Sequence, residues 1–160
     1  MIISKKFILS FFLGCLFLVN SLCNHTSKFT KETNMANENW REKLTEDQYK
    51  VTRMCGTEPP FSGKYYKHNK KGTYNCVCCN TELFSSSTKY DSGSGWPSFY
   101  DAINDTSIIQ SKDESMGMVR IEIKCASCES HLGHIFPDGP KPTGNRYCVN
   151  SLSLDFKAGK

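Results

Sequence analysis

The sequence has little net charge, few histidines and no internal repeat. Its 20 basic and 16 acidic residues give a formal net charge of +4 over 160 residues. That charge is too small to indicate a nucleic-acid-binding protein. A chain of this length without a repeating period also excludes repeat arrays and multidomain motors. It predicts one compact domain with an appendage.

The hydrophobic run near the start of the chain is short. Residues 7–19 are uncharged, but the run falls below the roughly 20 residues that a membrane-spanning helix needs. Because Lys5 and Lys6 precede it, residues 1–23 are typical of a secretory signal peptide. We therefore expect an exported protein in the periplasm, cell envelope, secretory pathway or external medium. An uncleaved signal or a lipid-modified cysteine would instead anchor the chain to a membrane.

Cysteine is the residue type in excess, with 9 in the whole chain. Two of them, Cys15 and Cys23, lie in the predicted signal peptide, so the body of the protein has an odd number. Residues 24–39 are polar and aperiodic, which is typical of a flexible spacer. The remaining cysteines belong to a predicted domain over residues 40–156, where they indicate disulfides, a metal site or thiol chemistry.

Glycine and proline interrupt this domain every few residues. Residues 40–53 predict a short N-terminal helical region with Thr45 as a helix N-cap. Strand-like runs follow at residues 73–76, 119–124 and 147–156. The pattern predicts a mainly β domain with long ordered loops.

Two CxxC pairs, Cys76 with Cys79 and Cys125 with Cys128, provide the strongest metal-binding signal. Two thiolates three residues apart can bind one face of a metal ion, and two such turns complete the tetrahedron of a structural zinc site. Cys78 lies inside the first turn and is a weaker ligand candidate. Two disulfides are the alternative in an exported protein.

Polar groups surround another cysteine near the C-terminus. On a strand, Arg146, Cys148 and Asn150 share one face. A nearby guanidinium lowers the pKa of a thiol and makes it a better nucleophile at neutral pH. Upstream, His131 and His134 can exchange protons. The alternatives are a buried structural cysteine and histidines that bind metal or lie on the surface.

Several longer motifs resemble one known family in order and spacing. The motifs are Gly56-Thr57-Glu58, the two CxxC pairs, Tyr90-Asp91-Ser92-Gly93, Trp96-Pro97-Ser98, His131-Leu132-Gly133-His134, Pro137-Asp138-Gly139 and Arg146-Tyr147-Cys148-Val149-Asn150. Together they resemble the MsrB-type peptide-methionine (R)-S-oxide reductases over nearly all of residues 40–156.

The resemblance implies an MsrB-like or Mss4-like β fold of two antiparallel sheets. It implies one structural Zn²⁺ per chain held by the four CxxC cysteines, and Cys148 as the catalytic nucleophile. It further implies that oxidised proteins carrying methionine-R-sulfoxide are the substrates and that thioredoxin or a similar dithiol supplies electrons. We expect a monomer that binds no nucleic acid.

The resemblance also assigns roles around the nucleophile. Cys148 would attack the sulfoxide sulfur and be left as a sulfenic acid. His131 and His134 would lie near the departing oxygen, with Asn150 ordering the polar network. Arg146 would hold the cysteine as a thiolate, and Trp96 would wall the pocket for the ε-methyl group of the substrate.

The sequence departs from the commonest family pattern at Ser94, where many members have a resolving cysteine. A hydroxyl cannot form a disulfide, so another thiol must reduce the sulfenic acid. Cys55 and Cys78 remain, and Cys78 would have to leave the zinc turn. We therefore expect Cys55 to be the resolving cysteine, and direct reduction of Cys148 by an external thiol is the alternative.

Two other classes compete with the enzyme interpretation. A secreted zinc-ribbon binding module would account for the four thiolates and the slight positive charge. A disulfide-stapled extracellular domain would account for the high cysteine content. Neither explains why Arg146, Cys148 and Asn150 would share one strand face.

Overall fold

The computed structural model describes residues 39–159. The predicted signal peptide (1–23) and all but the last residue of the predicted spacer (24–39) lie outside the described residues. The described chain falls within a single compact unit, Asn39–Lys160. Across this described stretch, no helix has the length and apolar character needed to cross a membrane.

The N-terminal helical region consists of two short helices, α1 (Trp40–Lys43) and α2 (Glu46–Arg53). The break arises because Thr45 is the N-cap of α2 and therefore has an extended backbone. Its hydroxyl accepts from the Gln48 N–H at 3.2 Å, and the Gln48 side chain accepts from the Thr45 N–H at 3.0 Å. This reciprocal capping box confirms the predicted cap.

Within residues 39–159, nine short strands make up most of the secondary structure that follows. They are β1 (Gly72–Cys76), β2 (Glu82–Ser85), β3 (Lys89–Tyr90), β4 (Ser98–Phe99), β5 (Ile108–Asp113), β6 (Arg120–Cys125), β7 (His131–Phe136), β8 (Arg146–Val149) and β9 (Leu154–Ala158). Single 3₁₀ turns lie at Ser86–Thr88, Ser115–Gly117 and Ser151–Ser153.

The strands form two antiparallel sheets, which confirms the predicted fold. One has three strands in the order β2-β1-β9, and the other has six in the order β3-β4-β8-β7-β6-β5. The small sheet contributes Tyr74 and Phe84 to a core of fully buried aromatic side chains. Phe99 of the large sheet stacks on Phe84 with ring centroids 4.4 Å apart and contacts Tyr74 edge-on at 5.0 Å. Burial of these rings stabilises the packing of one sheet against the other.

The centre of the large sheet sets the geometry of the candidate site. On neighbouring strands, His134 of β7 pairs with Cys148 of β8, which also pairs with Ser98 of β4. Gly133 permits this close approach, because a Cβ atom there would lie 2.0 Å from the Cys148 carbonyl oxygen. The backbone therefore fixes His134 beside Cys148.

Candidate functional site

The four CxxC cysteines form one cluster at the ends of two strands from different sheets. The Sγ atoms of Cys76 and Cys128 lie 3.6 Å apart, and those of Cys79 and Cys125 lie 3.5 Å apart. All four sulfur atoms lie within 4.8 Å of one another. Zinc–sulfur bonds of 2.3 Å in a tetrahedron place the sulfurs about 3.8 Å apart. The cluster therefore matches a four-thiolate zinc site, and its sulfurs are far beyond the ~2.05 Å of a disulfide bond.

The two metal-binding turns have the same backbone geometry. Asn80 N–H bonds the Cys76 carbonyl at 2.8 Å, and Glu129 N–H bonds the Cys125 carbonyl at the same distance. Asn80 and Glu129 both have left-handed φ angles, of 63° and 56°. Because the turns follow β1 and β6, a metal held there would join the small sheet to the large one. Cys78 lies outside the group of four.

A second cluster surrounds Cys148 in a small pocket of about 110 Å³. Four residues expected from the sequence meet there: Trp96, His134, Cys148 and Asn150. Thr57 and Gly133 also line it and lie in the motifs quoted above, but the sequence analysis gave them no role, and it missed Arg120 and Phe136.

The Cys148 thiol is partly buried, and its Sγ lies 3.8 Å from the Ser94 hydroxyl. Burial raises the pKa of Cys148, and this effect outweighs the lowering by Ser94 and Arg146. Arg146 thus acts on the pKa of Cys148 in the expected direction, and burial acts against it.

Arg146 is held beside the pocket by two neighbours. Its Nε and Nη2 atoms each donate to a different carboxylate oxygen of Asp138 at 2.8 Å. Its guanidinium carbon also lies 4.4 Å from the centroid of the Phe136 ring. This bidentate pair and the ring fix the direction of the positive charge. The charge on Arg146 also lowers the pKa of Asp138.

Asn150 and Trp96 are held by one segment, through the backbone of Glu58. Glu58 N–H donates to Asn150 Oδ1 at 3.0 Å, and the Glu58 carbonyl accepts from the Trp96 indole N–H at 3.0 Å. Asn150 Nδ2 in turn donates to the Leu132 carbonyl at 3.1 Å. These hydrogen bonds keep the indole and the amide in fixed positions on the pocket wall.

The two predicted histidines have different positions. His134 lines the pocket, and its Nε2 lies 2.8 Å from Oδ2 of Asp113, which also accepts from Arg120 at 2.7 Å. The sequence analysis missed Asp113, although it lies directly opposite Arg120 on paired strands. Hydrogen bonds from Ser115, with a further contribution from His134, keep the pKa of Asp113 well below its usual value. Asp113 is therefore a fixed carboxylate that orients His134.

His131 is buried and does not line the pocket among the described residues. Its Nδ1 lies 2.7 Å from Oε1 of Glu122, and its ring centroid is 5.6 Å from that of His134. Burial lowers the pKa of His131. Of the two histidines, His134 is the one that lines the pocket.

The Cys55 side chain is exposed and lies at the far side of Glu122, with Sγ 3.7 Å from Oε1. Glu122, His134 and Cys148 are opposite one another on three successive strands. Because neighbouring strands are ~4.8 Å apart, the backbones of Glu122 and Cys148 are separated by about 10 Å. A disulfide between Cys55 and Cys148 therefore requires the segment after α2 to move.

Comparison with known proteins supplies the deciding observation. The SelR domain model matches residues 44–158, which is most of the chain and contains both cysteine clusters. The chain belongs to the SelR domain family, that of the MsrB-type reductases. The similarity extends through the strands that carry the pocket and the metal-binding turns.

Three relatives show how close this MsrB-type chain is to proteins called peptide methionine sulfoxide reductase MsrB. One from Thioalkalivibrio sulfidiphilus is 56% identical over 124 residues, covering 78% of this chain and 90% of the relative. One from Pseudomonas putida (strain W619) is 58% identical over 120 residues, covering 75% and 90%. One from Synechococcus sp. (strain RCC307) is 58% identical over 123 residues, covering 76% and 90%.

The protonation state of Cys148 gives a testable prediction. Because burial raises the pKa of Cys148 above its ordinary value of 9.0, alkylation by iodoacetamide should become about ten times faster per pH unit from pH 7 to 9. Mass spectrometry of a Cys55→Ser/Cys78→Ser variant isolates this thiol. Arg146→Gln should react more slowly at each pH, because the thiolate loses a nearby positive charge. A rate that levels off below pH 8 would contradict the prediction.

Proposed function

We propose that this MsrB-type protein reduces methionine-R-sulfoxide in oxidised proteins to methionine by thiol chemistry. The observation that supports the proposal best is the pocket, where a partly buried thiol lies with an indole, an imidazole and an amide. Family membership adds the reaction class and a thiol reductant.

The proposal is tested with separated R and S diastereomers of a methionine sulfoxide peptide and thioredoxin as the electron donor. Only the R form should be consumed. Equal turnover of both diastereomers, or consumption of the S form alone, would contradict it.

The first step starts from the Cys148 thiol. Its sulfur attacks the sulfoxide sulfur to form an S–S bond. The oxygen then passes to the Cys148 sulfur, and the S–S and S–O bonds to the substrate sulfur break as methionine leaves. The oxygen ends on Cys148 as a sulfenic acid, and the proton of the thiol ends on that oxygen, so no external proton is consumed. Arg146 stabilises the negative charge on the cysteine sulfur as its proton leaves.

His134 is suited to carry that proton. Since its Nε2 is engaged by Asp113, Nδ1 is the nitrogen left to accept the thiol proton and pass it to the sulfoxide oxygen. The Asp113 carboxylate stabilises the imidazolium formed between these transfers. Asn150 orders the pocket through its bonds to Glu58 and Leu132.

The size and lining of the pocket suit the end of the substrate side chain. About 110 Å³ accommodates a methylsulfinyl group but little more of a peptide. The face of Trp96 is an apolar wall for the ε-methyl group, and a π face favours a methyl on a sulfur with partial positive charge. The polar oxygen then points towards His134.

We further propose that Cys55 resolves the sulfenic acid. Its thiol attacks the Cys148 sulfur, a disulfide forms, and the hydroxyl leaves with the Cys55 proton as water. Thioredoxin or a similar dithiol then reduces this disulfide by exchange. The exposure of Cys55, its position after the end of α2 and the presence of Ser94 in the glycine-rich loop of residues 91–99 support this assignment.

Changing Cys55 should separate the two half-reactions. In Cys55→Ser, one equivalent of methionine should still form at the wild-type rate without reductant, because Cys148 is intact. Steady-state turnover with thioredoxin should fall about 100-fold. Rapid-quench measurement of the first turnover and a coupled steady-state assay check both values. An unchanged steady-state rate would mean that thioredoxin reduces Cys148 directly.

The four clustered cysteines would hold one Zn²⁺ per chain. Four thiolates fill the tetrahedron, so the ion would have a structural role and no open position for substrate. We propose that residues 1–23 direct export and that the reductase acts as a monomer.

A further inference from the structure

Three potential metal ligands converge outside the pocket and outside the four-cysteine cluster. Cys55, Glu122 and His131 come from the segment after α2, from β6 and from the start of β7. Their ligand atoms lie within 4.8 Å of one another. Thiolate, imidazole and carboxylate are the three ligand types that zinc accepts in proteins.

One oxygen of Glu122 is the centre of this group. Oε1 lies 3.7 Å from the Cys55 sulfur and 2.7 Å from Nδ1 of His131. The other oxygen, Oε2, accepts from Ser111 at 3.1 Å and from Lys124 at 3.0 Å. These outer contacts fix the carboxylate and leave Oε1 directed at the other two ligands.

The separations can be compared with those in a zinc site. Bonds of 2.0–2.3 Å place a sulfur and an oxygen ligand about 3.5 Å apart and a nitrogen and an oxygen ligand about 3.3 Å apart. The Cys55–Glu122 distance already fits. The His131–Glu122 distance is that of a hydrogen bond, so an ion would replace this bond and separate the two side chains by about half an ångström.

The group can be reached from solvent on one side. The carboxylates acting on the Cys55 thiol are Glu122 and Asp113. Glu122 is paired with Lys124 and Asp113 with Arg120, so these carboxylates are balanced by cations. Cys55 is exposed, whereas His131 is buried and its Nε2 has no hydrogen-bond partner among the described residues. The group is therefore open to solvent on the Cys55 side.

The backbone holds the thiol in place at this position. Cys55 has a φ of +53°, a left-handed conformation that normally favours glycine or asparagine after a helix. The next N–H, from Gly56, bonds back to the Lys50 carbonyl at 3.0 Å. The end of α2 thus sets the backbone position of Cys55 next to Glu122 in this conformation.

We propose that Cys55, Glu122 and His131 form a second zinc-binding site, weaker than the four-cysteine site, that reversibly masks the Cys55 thiol. Zinc displaces the thiol proton to solvent, and water fills its fourth position. The binding site itself is independent of the proposed function. Its effect on turnover rests on the role proposed for Cys55.

Zinc binding is measured on the reduced full-length protein already containing its structural metal. Equilibrium dialysis against Zn²⁺ alone should reveal one further equivalent per chain. Cys55→Ser and Glu122→Gln should each weaken its binding by at least about 100-fold, and Ser111→Ala by about tenfold through the freed carboxylate. Circular dichroism confirms that each variant is folded.

Cys78→Ser is the matched control, since, within residues 39–159, Cys78 is the other thiol outside the four-cysteine cluster and the pocket. It should keep the second equivalent at wild-type affinity. The absence of a second equivalent in the wild type, its retention in Cys55→Ser, or its loss in Cys78→Ser would each overturn the site.

A single-turnover experiment distinguishes zinc binding at this site from the proposed role of Cys55 in resolving the sulfenic acid. Without zinc, one equivalent of sulfoxide substrate should remove two thiols, as Cys148 and Cys55 join. With the second site filled, disulfide formation should slow about tenfold or more, and a sulfenic acid trapped by dimedone should accumulate on Cys148. Zinc that binds at Cys55 without slowing the loss of the second thiol would support the site and contradict the resolving role.

Discussion

Replacing Cys148 by serine should lower the rate of methionine-R-sulfoxide reduction by about 10⁴-fold or more. The change replaces one atom in the pocket but removes the thiol, which among the described lining residues is the group that can accept the sulfoxide oxygen and later release it. A serine hydroxyl ionises far less readily than a thiol, and a hydroperoxide on serine is not a feasible product. The reaction therefore loses its first covalent step.

The structure explains why the variant should remain folded. Cys148 lies on β8 between β4 and β7, where its backbone makes the strand contacts. Its side chain faces the pocket and contacts Ser94. Substrate affinity should change little, because Trp96, His134 and Asn150 are unaffected, so the effect should appear in kcat rather than in KM.

The measurement is a first-turnover assay with the R-sulfoxide peptide, which is independent of the reductant. Cys78→Ser has the same chemical change at a thiol outside the pocket and should keep the wild-type rate. If Cys148→Ser still formed methionine within tenfold of the wild-type rate, a different residue would be the nucleophile and the proposed reaction would be wrong.

The two CxxC turns could be predicted from the sequence because each is formed by residues that are close together in the chain. The spacing of Cys76 with Cys79 and of Cys125 with Cys128 determines the geometry of a single turn. Glycines and prolines similarly marked the ends of short strands, which was enough to predict a mainly β domain. The resemblance of longer motifs then supplied the two-sheet arrangement that the structure confirms.

Residues that act across strands could not be found in this way. Asp113 reaches His134 only because β5, β6 and β7 pair in one register, which a single sequence does not determine. Glu122 was missed for the same reason, although it links Cys55 to His131. The strand pattern beyond β5 offered one signal, since Asp113 and Arg120 are oppositely charged residues flanking a turn.

The balance of contributions to the pKa of Cys148 also could not be predicted from the sequence. The neighbouring Arg146 correctly indicated a lowering of the pKa. Burial depends on packing between segments that are distant in the sequence, and its effect is larger and opposite. The charge of Arg146, close in sequence, therefore indicated one contribution to the pKa of Cys148 but not the opposing contribution of burial.

Replacing Cys125 by serine should remove the structural zinc and unfold the domain at physiological temperature. Cys125 ends β6 of the large sheet, and its sulfur lies 3.5 Å from that of Cys79, in the turn after β1 of the small sheet. Structural zinc contributes about 10–16 kcal/mol in small metal-binding peptides, whereas a typical domain is stable by only about 5–15 kcal/mol. Loss of the ion would therefore exceed or match the whole free energy of unfolding.

Zinc content by atomic emission and unfolding by circular dichroism check this prediction. Wild type should contain about one tightly held zinc per chain, resistant to a weak chelator that strips more loosely bound metal. Cys78→Ser, in the first metal-binding turn, should keep this zinc and the wild-type Tm because its sulfur lies outside the four-cysteine group. A zinc-free Cys125→Ser protein with a wild-type Tm would show that burial of Tyr74, Phe84 and Phe99 is sufficient to hold the two sheets together.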